Sequence, residues 1–113
     1  MYAYGLGRPR DARRANYYFA RGCRHDDGYA CYALGIAYQQ GAHLARSPRR
    51  AAQYYAKGCH LDEARSCNSL GASYRAGIGV RQDNARASTF YSRACTLGNQ
   101  VGCQNLRLMQ VLP

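Results

Sequence analysis

Residues 51–80 read AAQYYAKGCHLDEARSCNSLGASYRAGIGV. Two cysteines, Cys59 and Cys67, stand eight apart inside this stretch. The same pair recurs upstream as Cys23 and Cys31, and downstream as Cys95 and Cys103. Successive cysteines are therefore separated by 8, 28, 8, 28 and 8 positions, a period of 36. A fixed period of that size marks a solenoid or array, in which each unit buries its apolar face only against its neighbours.

The period holds outside the cysteines. Residues 12–47 align without gaps on 48–83, and 84–113 align on the start of both. Arg14, Arg50 and Arg86 share a column, as do Ala15, Ala51 and Ala87. Tyr18, Tyr54 and Phe90 match, and so do Phe19, Tyr55 and Tyr91. Leu34, Leu70 and Leu106 follow the second cysteines, then Tyr38 with Tyr74 and Gly41 with Gly77. The first eleven residues continue the pattern backwards, with Tyr2 in the Tyr38 column. Residues 1–113 thus read as one repeat domain. It has the tail of a preceding repeat at 1–11, full repeats at 12–47 and 48–83, and a truncated third at 84–113.

Each repeat reads as two helices. Asp11, Ser47 and Asp83 are N-cap residues for the first helix, because their side-chain oxygens accept from orphan amides of the first turn. Pro48 suits the first helical position, where its missing N–H costs nothing. Apolar residues then fall at helical spacing: Ala51, Tyr54, Tyr55 and Gly58. Cys67, Leu70, Gly71 and Tyr74 carry the second helix, which Gly77 ends by accepting a left-handed conformation. No segment alternates as a strand would. The fold class is all-α, an α/α superhelix of helical hairpins.

The cysteine spacing bears on the turn. Residues eight apart in one helix lie ~12 Å apart, whereas a disulfide needs α-carbons within roughly 7 Å. If each pair is bonded, the chain turns between its two members. Structural disulfides and reduced buried thiols are both open on spacing alone. Zinc sites usually pair cysteines two to four apart and add histidine, and His25, His43 and His60 share no column. No metal or cofactor set emerges.

The pattern A-x-x-Y-Y-x-K-G-C at 51–59, C-x-x-L-G-x-x-Y at 67–74 and G-x-G-V at 77–80 resembles the Sel-one-like repeat, a tetratricopeptide-related hairpin. The C-x7-C addition is similar to its cysteine-rich bacterial subgroup, the Helicobacter cysteine-rich proteins. The resemblance implies a disulfide across each hairpin: Cys23–Cys31, Cys59–Cys67 and Cys95–Cys103. It also implies a link to penicillin binding and weak β-lactam hydrolysis. The residues offer no such chemistry. The only lysine, Lys57, has Tyr54 where an S-x-x-K serine would stand. The chain departs from the pattern in the first repeat, where Gly41-Ala42-His43-Leu44 stands in place of G-x-G-V, and in the third, where Arg107 replaces a packing glycine.

Fifteen arginines and one lysine face six acids, for a net charge of +10. Charge of this size concerns partners rather than fold. Arginines gather at the repeat boundaries, so stacking predicts a basic ridge beside the first-helix N-termini. Arg13, Arg14, Arg49, Arg50 and Arg86 are the candidate contacts for a protein or an anionic surface. The competing reading is that long arginine stems cover apolar surface while their heads stay wet. Most aromatic rings fall in inward columns: Tyr18, Phe19, Tyr38, Tyr54, Tyr55, Tyr74, Phe90 and Tyr91. Tyr17, Tyr29 and Tyr32 are unmatched in the second repeat and form a candidate contact patch. No nucleic-acid-binding motif accompanies them, which disfavours a nucleic-acid partner.

Bonded cysteines point to an oxidising compartment. Residues 1–8 lack the apolar core of a signal peptide, and no stretch is long enough to span a membrane. A segment of a longer secreted or periplasmic protein reconciles the two. The mitochondrial intermembrane space or the cytoplasm is the alternative. Leu106, Leu108, Met109, Val111 and Leu112 leave an apolar C-terminal helix, which self-association would cover. The expected function is a non-catalytic interaction scaffold, with a weak β-lactamase as its alternative.

Overall fold

Short polar caps and left-handed turns cut the described residues into six helices. The computed structural model describes residues 9–111. They form α1 (Pro9–Arg24), α2 (Gly28–Gln40), α3 (Pro48–His60), α4 (Ala64–Ala76), α5 (Asn84–Thr96) and α6 (Gln100–Val111). No strand occurs among the described residues. Consecutive helices pair as antiparallel hairpins, and the hairpins stack into an α-solenoid with a period of 36 residues.

The caps explain the boundaries. Ser47 accepts from the amide of Arg50, and Asp83 from that of Arg86. The first helix differs from expectation. It begins at Pro9, so Asp11 lies inside it rather than capping it. Proline's fixed φ is pre-organised for a first turn and starts the helix earlier. The side chains of 9–11 and of Val111 lie outside the described set, as do residues 1–8 and 112–113, so the apolar expectation at Val111 and Leu112 falls outside it. Second helices are capped by the equivalent Asp27, Glu63 and Asn99, whose side chains accept from Ala30, Arg65 and Gly102 amides. Each cap follows a left-handed residue: Asp26 at φ 66°, Asp62 at φ 64° and Gly98 at φ 97°. Gly41 and Gly77 end α2 and α4 at φ 72° and 71°.

Within a hairpin, small residues let the helices touch. A β-carbon on Gly22 would lie 2.8 Å from that of Ala30, and one on Gly102 would lie 2.7 Å from that of Ala94. The disulfides Cys23–Cys31, Cys59–Cys67 and Cys95–Cys103 close the same contact, with α-carbons 4.6, 4.5 and 4.5 Å apart. These distances require the turn between helices.

Between hairpins, rings do the packing. Tyr55 of α3 lies on Gly35 of α2, and Tyr91 of α5 lies on Gly71 of α4. Tyr38 stacks on Tyr54 at 5.5 Å, and Tyr74 on Phe90 at 5.7 Å. Arg50 and Arg86 cover the outer faces of Tyr38 and Tyr74, 5.8 and 5.7 Å from the ring centres. At the far end, Lys57 reaches Asp26 at 3.5 Å and Arg93 reaches Asp62 at 2.6 Å. These exposed pairs contribute about 0–1 kcal/mol each, so burial of the tyrosines carries the joint.

The aromatic core is narrower than the columns imply. Tyr55 and Tyr91 are buried, whereas Phe19, Tyr38, Tyr54, Tyr74 and Phe90 are half-buried. Tyr18 corrects the expectation, being 57% exposed. A ring in its column is covered when the tyrosine of the preceding repeat stacks on it, and the equivalent residue for Tyr18 is Tyr2, outside the described set. At the C-terminal end Leu106 and Met109 are half-buried, while Leu108 is exposed.

Candidate functional site

One face of each first helix presents residues at i, i+3, i+4 and i+7: Arg13, Asn16, Tyr17 and Ala20 in α1, and Arg49, Ala52, Gln53 and Ala56 in α3. This spacing aligns them along a single stripe. The stripe forms one wall of a groove against the second helix of the same hairpin. In the first repeat Leu34, Tyr38, His43 and Leu44 complete a depression of about 300 Å³. In the second, Leu70, Tyr74, Gly79 and Val80 complete one of about 240 Å³. All eight positions correspond, 36 residues apart. Stacked repeats carry equivalent positions along one side, so the two depressions are successive stations of one groove. Its floor is apolar, from Leu34, Leu70, Leu44 and Val80, and Arg13 and Arg49 stand exposed at its rim.

Local structure holds the groove open. The small residues Ala20, Ala52 and Ala56 keep the helix wall low. The Asn16 amide donates to the carbonyl of Ala42 at 2.6 Å and ties the loop after α2 to α1. A β-carbon on Gly79 would lie 2.2 Å from the Pro48 carbonyl oxygen, so this loop needs glycine to reach α3. His43, at the same position of the first repeat, holds the same left-handed backbone at φ 57°.

The candidate residues divide into separate places. Arg13, Arg49 and Tyr17 line the groove. Arg14 is exposed on α1. Arg50 and Arg86 lie over ring faces, and Arg86 also meets Asp83 at 3.4 Å. Tyr29 and Tyr32 sit away from Tyr17, under the guanidinium of Arg65, at 5.2 and 4.8 Å. Glu63 fixes that guanidinium with two hydrogen bonds of 2.9 and 3.1 Å. The same bonds hold the Glu63 carboxyl below the usual carboxylate range. Tyr32 also packs on the buried Tyr55. The three unmatched tyrosines are therefore not one patch. The groove floor escaped residue reading, since nothing in a sequence shows which side of a first helix is left uncovered. The i, i+3, i+4, i+7 run of Arg13, Asn16, Tyr17 and Ala20 was its available signal.

Charge in the site is unbalanced. Every acid whose side chain is described already serves the fold. Asp27, Glu63 and Asp83 cap helices, and Asp26 and Asp62 meet basic residues of the next hairpin. Arg49 has no carboxylate partner among the described residues. No cluster of three or more His, Cys, Asp or Glu occurs among them. No described helix is long and apolar enough to cross a membrane.

A comparison with curated protein sequences finds no match. Solved structures give clear ones. Helicobacter pylori cysteine rich protein B is 33% identical over 84% of this chain and 71% of its own, with a TM-score of 0.82. A Sel1 repeat protein from Oxalobacter formigenes is 28% identical over 83% of this chain and 38% of its own, with a TM-score of 0.78. A protective antigen present in uropathogenic Escherichia coli strains shares the fold, with a TM-score of 0.78 at 24% identity over 80% of this chain and 20% of its own. The Sel1 repeat model matches residues 1–27, 28–63 and 64–99, cutting the same period in another phase. With hairpin after hairpin repeating the same caps, glycine contacts and ring joints across that span, the chain belongs to the Sel1 repeat family.

Proposed function

We propose that this protein is a non-catalytic interaction scaffold that holds an extended, acidic protein segment along the recurring groove. The carrying observation is that the same eight positions line a depression in the first hairpin and again, 36 residues on, in the second. A partner laid along the solenoid meets an apolar floor and a basic rim twice, one repeat apart. The floor takes apolar side chains, and Arg13 and Arg49 take carboxylates by charge-assisted hydrogen bonds. Acids within the fold do not compete, because they are already engaged. The three disulfides suit an oxidising compartment, which supports a secreted or periplasmic location.

The test is fluorescence anisotropy with a short labelled peptide alternating glutamate and leucine, beside its lysine–leucine counterpart. The acidic peptide binds, weakens with salt, and loses about tenfold or more in affinity in the Arg13→Glu/Arg49→Glu protein. Equal binding of both peptides, or binding indifferent to the double substitution, removes the groove from the function. Hydrolysis of nitrocefin by the same preparation would instead favour an enzyme.

A further inference from the structure

Charge is divided unequally between the two ends of the helices. At the end formed by the turns within hairpins (residues 21–30, 57–66 and 93–102), five cations face four acids. At the opposite end lie the first-helix N-termini, the loops between hairpins and the end of α6. There, residues 12–14, 39–50, 75–86 and 107–111 carry nine arginines against the single carboxylate of Asp83. That carboxylate is already engaged by Arg86 and its amide. The same end exposes two large apolar side chains. Ile78, 50% exposed, stands at a loop tip between Gly77 and Gly79, both left-handed, with Arg75 and Arg81 on either side. Leu108, 54% exposed, stands beside Arg107 on the last turns of α6.

We infer that this end of the solenoid docks on an anionic lipid bilayer. Ile78 and Leu108 enter the headgroup boundary, and the arginines meet lipid phosphates. Peripheral binding of this kind adds buried apolar area to electrostatic attraction. Each basic residue held near an anionic surface strengthens it severalfold. A polynucleotide fits the same end less well, because stacking of bases needs open rings. The exposed rings Tyr17, Tyr18 and Tyr29 lie elsewhere, and Tyr38 and Tyr74 sit beneath Arg50 and Arg86. Arg13 and Arg49 belong both to this end and to the groove rim, but Arg75, Ile78 and Arg81 lie outside the groove, so substitutions at these three act on this end alone.

The experiment is co-sedimentation of the disulfide-intact protein with phosphatidylcholine vesicles, with and without phosphatidylglycerol. The protein sediments only with the anionic vesicles, and salt releases it. Arg75→Glu/Arg81→Glu lowers partition by about tenfold or more, and Ile78→Ser by about threefold to tenfold. Arg24→Glu, at the other end, leaves it unchanged. Equal sedimentation with both vesicle types overturns the inference, as does an Arg24→Glu loss equal to that of the double variant. Retention on heparin that Arg75→Glu/Arg81→Glu lowers, without sedimentation on any vesicle, overturns it in favour of a polyanionic chain. Acidic-peptide binding in the groove is unaffected by Arg75→Glu/Arg81→Glu, which keeps the two readings apart.

Discussion

The ring of Tyr55 lies so close to Gly35 that a β-carbon on the glycine would sit 2.5 Å from Cε1 of the ring. Tyr91 and Gly71 repeat the contact at 2.7 Å from Cδ1. Both tyrosines are 2% exposed, so neither ring has room to retreat. Gly35→Ala gains about 1 kcal/mol of helix propensity but overpacks the joint, at a cost of about 1–3 kcal/mol. With no room for the ring the upper end of that cost applies, so the expected net loss is about 2 kcal/mol, read from urea unfolding with disulfides intact. An unchanged midpoint would show that the hairpins separate easily here.

His43 offers the opposite case. It holds φ 57° where the next repeat has Gly79 at φ 80°. A left-handed backbone costs a non-glycine residue about 1–2 kcal/mol, and glycine's looser unfolded state offsets part of this. His43→Gly is expected to raise stability by about 0.5–1 kcal/mol, seen as a melting temperature higher by a few degrees. A lower melting temperature would mean that the imidazole makes a contact worth more than the strain.

These two positions show where sequence reading succeeds and where it stops. Columns of identical residues exposed the hairpins, because each column answers a local demand. Ser47 and Asp83 cap, Gly41 and Gly77 turn left-handed, and paired cysteines force a bend. Columns alone could not say what lies on the other side of a residue. Tyr18, Tyr54 and Phe90 match, yet Tyr18 is exposed, whereas Tyr54 and Phe90 are half-buried and each stacks on a tyrosine of the preceding repeat. Arg13 and Arg14 look alike in sequence, but 100° of helix rotation separates them. Arg13 meets the groove, and the Arg14 column meets a ring in later repeats. The groove is built by a first helix, a second helix and the loop after it together, so no one segment announces it.

The disulfides differ in cover. Cys23–Cys31 lies under Phe19, Tyr54 and Leu61, and Cys59–Cys67 under Phe90 and Ala94. Each is shielded by the first helix of the next hairpin. Cys95 and Cys103 are half-buried, with no such helix over them among the described residues. Thiol–disulfide exchange requires access of a thiolate to sulfur. Limited reduction followed by alkylation and mass spectrometry should label Cys95 and Cys103 first. Opening this loop costs about 2–3 kcal/mol in the chain-entropy model. Simultaneous labelling of all six cysteines would indicate global unfolding before any exchange.

Alkali probes the buried phenol. Burial pushes the Tyr55 hydroxyl up to about 12, with Tyr32 nearby adding to the effect and a hydrogen bond from Ser69 opposing it. The folded state therefore favours the neutral phenol. Its contribution is fully present below the ordinary value of 10 and is lost as pH rises from 10 to about 12. Helical circular dichroism should fall through this window as phenolate absorbance at long ultraviolet wavelength appears. Tyr55→Phe keeps the ring and removes the titrating group, so its stability declines less steeply there. An equally steep decline would place the alkaline transition on other groups.

Ser66 and Gly58 supply a coupled test. The hydroxyl of Ser66 is buried without a hydrogen-bond partner among the described residues, and a β-carbon on Gly58 would lie 2.3 Å from it. The other hairpins meet the same need differently, with Gly22 against Ala30 and Ala94 against Gly102. One member of each pair is glycine, whichever helix carries it. Ser66→Ala reproduces the first hairpin and removes an unpaired polar atom, so it is expected to stabilise by about 1 kcal/mol or more. Gly58→Ala alone overpacks at a cost of about 1–3 kcal/mol, offset by about 1 kcal/mol of helix propensity. Gly58→Ala with Ser66→Gly reproduces the third hairpin and removes the collision. Contacting residues couple by about 0.5–3 kcal/mol, so the double variant should be more stable than the sum of its single changes by at least about 1 kcal/mol. Additive effects in a urea-unfolding double-mutant cycle would mean that the helices shift apart instead. The glycine would then serve its own helix rather than the contact beneath the disulfide.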